Sequence, residues 1–90
     1  MTQKNNKKKI KVERVQLGVR MEKRMVKVLK AMAEYYDMSL GDLMEGIILH
    51  SIEGQSPFTD DAIKHINQFK EIYGMTYDSE SAHNFIEEGE

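Results

Sequence analysis

The sequence has no cysteine and no tryptophan, one proline among its 90 residues, and no long uninterrupted run of apolar residues. Without cysteine the chain has no disulfide framework, which fits a reducing compartment. The basic N-terminal residues are followed by alternating polar and apolar residues, so we expect neither a secretory signal nor a membrane-spanning segment. These absences predict one small, soluble, cytoplasmic domain that does not associate with membranes.

Motifs of catalysis and metal binding are also missing. The sequence has no glycine-rich phosphate loop, and no serine or carboxylate pair lies in a recognisable catalytic motif. The histidines at positions 50, 65 and 83 lie far apart, lack cysteine partners and show no close ligand spacing. We therefore expect neither an enzyme nor a resident metal or other cofactor.

The charge that is present is divided unevenly along the chain. Residues 1–30 carry eleven lysines and arginines against two glutamates, a net +9, whereas residues 31–90 carry two lysines against thirteen acids, a net −11. A polyanion would be attracted by the first part and repelled by the second. Both runs could equally be solvated faces, so the interpretation depends on the residues that come after the N-terminal lysines.

A basic arm precedes a segment with the pattern of a strand. Residues 1–11 are polar and basic with almost nothing to bury, which predicts a flexible arm. From residue 14 to residue 21 the sequence RVQLGVRM alternates strictly, which is typical of a half-buried strand. Its apolar face consists of Val15, Leu17, Val19 and Met21, and its other face consists of Arg14, Gln16, Gly18 and Arg20.

The period of the apolar residues then changes from two to about 3.6, which predicts helices. The first amphipathic helix is expected over about residues 22–36, and the pattern breaks at Asp37. Ser39 is a suitable N-cap for a second helix, and Gly54 is suited to end it. With the strand, these two helices make a predicted domain over residues 12–54.

Residues 55–90 form an acidic extension after a short linker around Pro57. Thr59 and the two acids that follow it predict the start of a third helix, which Gly74 ends. A short fourth helix is expected near Ser79. The extension either packs on the core, or binds a protein partner, or joins dimers on adjacent DNA sites.

A single strand implies a second chain. The backbone amides and carbonyls of a half-buried strand need partners, and this sequence contains no other convincing strand to supply them. Two copies related by a twofold axis can pair these strands antiparallel and share one core. The sequence thus predicts a homodimer whose core includes Val15, Leu17, Val19 and Met21 of the strand and Leu29, Leu43 and Ile47 of the helices.

The polar face of such a two-stranded ribbon suits the DNA major groove in width and chemistry. Arginine can donate two hydrogen bonds to guanine, and glutamine can both donate to and accept from adenine. Arg14, Gln16 and Arg20 are therefore candidate base-contacting residues, and Lys7, Lys8, Lys9 and Lys11 are candidate phosphate contacts.

The order of strand, helix and helix from Arg14 to Gly54 resembles the ribbon-helix-helix superfamily that includes Arc, MetJ and CopG. The resemblance covers somewhat under half of the chain. It implies a mainly α-helical dimer with one short strand per chain and an intermolecular antiparallel sheet. It also implies base contacts from Gln16, Gly18 and Arg20, with Arg14 one step further out.

The resemblance further implies that the start of the second helix binds a DNA phosphate through the backbone amides of Ser39, Leu40 and Gly41. The sequence departs from the family at two positions that matter for this interpretation. Gly18 has no side chain where the family often has a base-reading residue, and Asp37 lies in a turn where glycine is common.

Two functions follow as expectations. The first is a sequence-specific DNA-binding protein that regulates transcription as a repressor or autoregulator, with its dimeric ribbon in the major groove of double-stranded DNA, alone or as several dimers. The second is an antitoxin-type interaction protein, in which residues 55–90 bind a toxin or another protein.

Overall fold

A computed structural model describes residues 9–88 of the chain, and this part is mainly helical as predicted. Helix α1 spans Lys23–Tyr35, α2 spans Leu40–Ile52 and α3 spans Asp60–Tyr73. None of these helices is long and apolar enough to cross a membrane. The fourth helix expected near Ser79 is instead a three-residue 3-10 turn, Ser79–Ser81, because the backbone there closes only hydrogen bonds between residues three apart.

The predicted caps of the second and third helices are confirmed. The hydroxyl oxygen of Ser39 accepts a hydrogen bond from the Asp42 amide at 3.1 Å, and that of Thr59 accepts one from the Ala62 amide at 3.1 Å. Both contacts satisfy an amide that has no partner within its own helix. Helix α3 ends at Gly74, whose φ of 69° lies in the left-handed region that favours glycine.

Helix α1 ends in a tight turn that also needs a left-handed residue. Asp37 has a φ of 57°, which is the conformation that aspartate tolerates better than most other residues. The amide of Met38 donates to the carbonyl of Ala33 at 2.9 Å and closes the end of the helix. The aspartate at this position therefore provides the left-handed residue that the turn requires.

Helix α1 packs against α2 and, more extensively, against α3. Its buried residues Val28, Met32 and Ala33 meet Leu43 of α2. The extension contributes to the same core, because Phe58 and Met75 and two residues of α3 pack against it. The partly buried apolar residues around this core are Leu29, Ile47, Phe58, Ile66, Phe69 and Met75.

The predicted strand does not form in the single chain, in which residues 9–22 contain neither helix nor strand. A strand is held by ladder hydrogen bonds to a neighbour, and the described part of this chain offers no second strand. The four strand positions assigned to the dimer core are therefore exposed rather than buried. Their exposed fractions are 84% for Val15, 79% for Leu17, 59% for Val19 and 38% for Met21.

Helix α2 buries less of its apolar surface than its sequence suggests. Leu43 is buried and Ile47 is half-buried, but Leu49 and Ile52 are 63% and 71% exposed. Apolar side chains such as these gain free energy when they are removed from water. Leu29, Leu43 and Ile47 thus contribute to the core of one chain, while the end of α2 lies open.

Candidate nucleic-acid interface

The described basic residues of the arm lie in solvent. Lys9 and Lys11 are exposed, as a side chain that binds a DNA phosphate must be before binding. Lys7 and Lys8, also assigned to phosphate contacts, lie outside the described residues. Helix α1, which comes directly after this segment, carries two further exposed lysines, Lys23 and Lys27.

Arg14 lies against α2. Its guanidinium donates to both carboxylate oxygens of Glu45, at 3.2 Å from Nε and 3.0 Å from the terminal nitrogen. These hydrogen bonds and the charge of the arginine lower the pKa of Glu45, and the carboxylate in turn raises the pKa of Arg14. Both side chains are more than half exposed, so the pair orients the segment beside α2 without being buried.

Gln16 and Gly18 are both exposed. A Cβ atom at Gly18 would lie more than 4 Å from every other atom of residues 9–88, so packing within this part of the chain does not require a glycine here. A glycine without a local steric or conformational reason is instead compatible with close approach of its backbone to something outside the chain.

Arg20 reaches towards the end of the chain. Its guanidinium lies 3.6 Å from a carboxylate oxygen of Glu87, and the exposed fractions of the two side chains are 93% and 68%. The contact is an ion pair without a close hydrogen bond, so it holds the guanidinium loosely. The candidate base-reading arginine is therefore accessible, but an acid from the extension lies beside it.

Two residues beyond Arg20, Glu22 connects the start of α1 to the extension. One of its carboxylate oxygens accepts from the Met25 amide at 3.0 Å, which caps α1, and from the hydroxyl of Tyr77. The other accepts from Nε of Arg24 at 3.0 Å. The guanidinium of Arg24 also donates to the Gly74 carbonyl at 3.1 Å and lies 5.4 Å from the centre of the Tyr77 ring.

The ionisation of Glu22 reflects these contacts. Partial burial alone would raise its pKa, but the hydrogen bonds from Tyr77, Arg24 and Met25 outweigh it and lower the pKa to about 2. For Tyr77, partial burial and the neighbouring carboxylate raise the pKa to about 12. The pair thus consists of a carboxylate and a neutral phenol over the whole range between these values.

The start of α2 is a less favourable anion site. The amides of Leu40 and Gly41 donate no hydrogen bond to other described residues, so they are open to a phosphate oxygen. The Asp42 amide is already used by Ser39. A shallow depression beside this helix end contains the acids Glu34 and Asp37 in its lining, and their charges oppose a phosphate.

The structure therefore places Arg14, Gln16, Gly18 and Arg20 on one exposed segment, two of them paired with acids of the same chain. Sequence patterns did not point to Glu22, Arg24 or Tyr77. An acid immediately before the first helix, three residues ahead of Met25, is a signal for a cap and could have indicated Glu22. The contact with Tyr77, 55 residues away, has no such local signal.

No cluster of three or more histidine or acidic side chains that could hold a metal ion occurs among residues 9–88. Comparison with known proteins gave no match to any family model, and no match among curated proteins or solved structures. The functional interpretation therefore rests on the residues of this chain.

Proposed function

We propose that this protein is a homodimeric DNA-binding regulator of the ribbon-helix-helix type, which reads DNA with a two-stranded ribbon formed by one segment from each chain. The observation that carries the proposal is the exposed apolar row of Val15, Leu17 and Val19. These three aliphatic side chains lie on alternate positions and are exposed to water, and the backbone that joins them makes no ladder hydrogen bonds. Such a segment is suited to pairing with another strand.

The apolar row selects one register for this pairing. In an antiparallel pair about a twofold axis, the register that matches every apolar residue places Val15 opposite the partner's Met21 and Leu17 opposite the partner's Val19. Any shift along the strand leaves an apolar residue opposite a charged one. In this register Gly18 lies opposite the partner's Gly18, next to the twofold axis, and Gln16 lies opposite the partner's Arg20.

The exposed end of α2 suits the same assembly. The apolar row of a ribbon can be buried against the helices only if the helices also expose apolar side chains. Ile48, Leu49 and Ile52 of α2 are such exposed side chains. A groove between the three helices, lined by apolar residues that include Leu29 and Ile47, adds to it. Two chains would then share a larger core than the few residues that are buried in one chain.

The outer face of the ribbon would carry two clusters, each formed by Arg20 of one chain and Gln16 of the other. Arginine reads guanine and glutamine reads adenine through paired hydrogen bonds in the major groove. Gly18 at the centre would bring the backbone close to the DNA and leave the middle of the site without a side-chain reader. The target is then an inverted repeat whose two halves carry most of the discrimination.

The basic arm supplies the attraction that does not depend on sequence. Lys9 and Lys11, with the lysines before them, would contact phosphates and make binding sensitive to salt. A dimer that binds an inverted repeat near a promoter regulates transcription by occupying the site, which is the repressor or autoregulator proposed here. The antitoxin-type function stays a second prediction, because α3 of the extension packs on α1 rather than standing free.

The test is to select duplexes from a random pool with the purified protein and to compare affinities for a selected and a random duplex. Arg20→Ala should weaken binding to the selected duplex by about 1–3 kcal/mol per symmetric contact, with much less effect on the random duplex. Gln16→Ala should act in the same direction but more weakly. Equal losses on both duplexes would show that Arg20 does not read bases.

Lys9→Ala and Lys11→Ala are the matched comparison, because they remove charge from the arm and not from the ribbon face. Each should weaken binding to both duplexes alike and reduce the slope of log affinity against log salt by roughly 0.9 per lost phosphate contact. The preference for the selected sequence should be unchanged. Selection that enriches no sequence would contradict sequence-specific binding.

A further inference from the structure

The last part of the extension is acidic and lies against the proposed DNA-reading segment. Residues 75–88 contain four carboxylates and no lysine or arginine. One of them, Glu87, makes the ion pair with Arg20. An acid of the extension therefore lies beside one of the side chains assigned to read bases.

This acidic segment is fastened at its beginning rather than at the ion pair. Arg24 binds the Gly74 carbonyl and lies against the Tyr77 ring, and Tyr77 donates to Glu22. The Tyr77 ring also packs edge-on against Phe85, with 5.0 Å between the ring centres. These contacts direct residues 85–88 towards Arg20, because Glu22 is only two residues away from it.

We propose that residues 75–88 form an autoinhibitory strap, in which Glu87 competes with DNA for Arg20. The inference rests on the proposed function, because it requires Arg20 to contact DNA. The Glu87 carboxylate lies where a guanine edge would have to approach the Arg20 guanidinium and offsets its charge, and the other acids of the strap repel phosphates that approach the ribbon. DNA binding therefore requires the strap to leave Arg20.

The geometry fits a competitor that can be displaced. The pair between Arg20 and Glu87 is exposed, and exposed pairs of this kind are weak. Because the anchor at Tyr77 holds the strap nearby, the local concentration of the Glu87 carboxylate at Arg20 is nevertheless high. A DNA site that binds tightly can displace Glu87 from Arg20, whereas a site that binds weakly cannot. The strap therefore raises the intrinsic affinity that a DNA site needs in order to be bound.

The experiment compares the full-length protein with Glu87→Gln on the selected duplex at constant ionic strength. Removing the competing charge should tighten binding roughly 2- to 10-fold, as two exposed ion pairs per dimer are lost. Glu71→Gln on α3 is the control for net charge, since it removes the same charge elsewhere and should change affinity less. Equal gains from both variants would overturn the strap.

A second comparison tests the route through Arg20. In an Arg20→Ala background, Glu87→Gln should give no more gain than Glu71→Gln, because the competing pair no longer exists. An equally large gain in both backgrounds would contradict competition at Arg20.

Nuclear magnetic resonance gives a readout that does not depend on affinity. When the selected duplex is added to the wild-type protein, the amide resonances of Phe85 and Glu87 should move towards positions typical of a free chain. Resonances that stay unchanged while the ribbon residues shift would show that strap and DNA occupy different places. If no variant binds any duplex, the proposed function fails, whereas wild-type binding that Glu87→Gln leaves unaltered overturns the strap alone.

Discussion

Gly18 lies between Gln16 and Arg20, and none of the described residues occupies the space in which its Cβ would lie. Gly18→Ala should therefore leave the thermal stability of the protein within about 0.5 kcal/mol of wild type, as for other exposed substitutions. If the backbone approaches DNA at this position, the added methyl group should weaken binding to the selected duplex severalfold.

Circular dichroism melting and anisotropy titration measure the two effects separately. Unchanged affinity of Gly18→Ala would show that the centre of the ribbon does not come close to DNA. A large loss of stability would contradict the open surroundings of this residue.

Glu22 makes stability depend on pH in the acid range. Because its pKa is lowered to about 2 from an ordinary value near 4.5, its contacts contribute stability above about pH 4.5 that is lost as the pH falls towards 2. We expect the melting temperature of Glu22→Gln to lie below that of wild type near neutral pH and to approach it in acid.

Melting curves at several pH values test this expectation, with Glu71→Gln as the control. The Glu71 side chain is exposed and makes no ion pair with other described residues, so the variant is a control for the loss of one surface carboxylate. A constant difference between Glu22→Gln and wild type at every pH would show that the carboxylate charge does not contribute.

At the scale of elements, the third helix is part of the fold rather than an appendage. Ile66 and Phe69 pack against the core of α1 and α2, and Ala62 is buried. Ending the chain at Gln55 removes these side chains and should lower the free energy of unfolding by about 3–6 kcal/mol. Since small domains have only about 5–15 kcal/mol in total, this loss is a large fraction of the stability, and the shortened chain should unfold at a markedly lower denaturant concentration than the full protein.

A chain that ends at Tyr77 is the matched control, because it keeps α3 with its cap, the core residue Met75 and the contact of Tyr77 with Glu22, and removes the acidic residues that follow. It should stay folded and, if the strap competes with DNA, bind the selected duplex more tightly than the full chain. Denaturant unfolding of both truncated chains provides the comparison. A chain ending at Gln55 that is as stable as the full protein would show that α3 does not support the core.

On the scale of the whole molecule, the single chain is more extended than a compact domain. Its radius of gyration is 15.7 Å, whereas a compact domain of this length has about 12 Å. The exposed segment before α1 and the open end of α2 leave apolar surface that a second copy would cover. Folding and dimerisation are then coupled, so the melting temperature should rise with protein concentration.

Leu17→Lys and Ile10→Lys form a matched pair for testing this dimer. The two side chains are 79% and 81% exposed in the single chain, but only Leu17 belongs to the apolar row. Each chain would bury one Leu17, worth about 1.5–3 kcal/mol, so Leu17→Lys should weaken dimerisation roughly 10²- to 10⁴-fold. Ile10→Lys should have little effect. Sedimentation equilibrium measures both, and a folded wild-type monomer at micromolar concentration would contradict the ribbon.

The three helices and their ends could be predicted from the sequence alone. Their signals are local, since an apolar stripe repeats every 3.6 residues and a cap such as Ser39 or Thr59 contacts an amide three residues away. The left-handed turn at Asp37 is equally local. The alternation before α1 predicted a strand for the same reason, but alternation cannot supply the ladder, which needs a partner outside the single chain.

Only the tertiary structure decided that the segment before α1 meets the segment after α3. The sequence could not indicate that Tyr77 reaches Glu22 or that Glu87 reaches Arg20, because contacts between residues so far apart leave no periodic pattern. They depend on how α3 packs against α1, which sets the direction in which the chain leaves Gly74. The candidate base-reading residues could be predicted from the local alternation of the sequence, whereas the position of Glu87 beside Arg20 is decided by long-range packing.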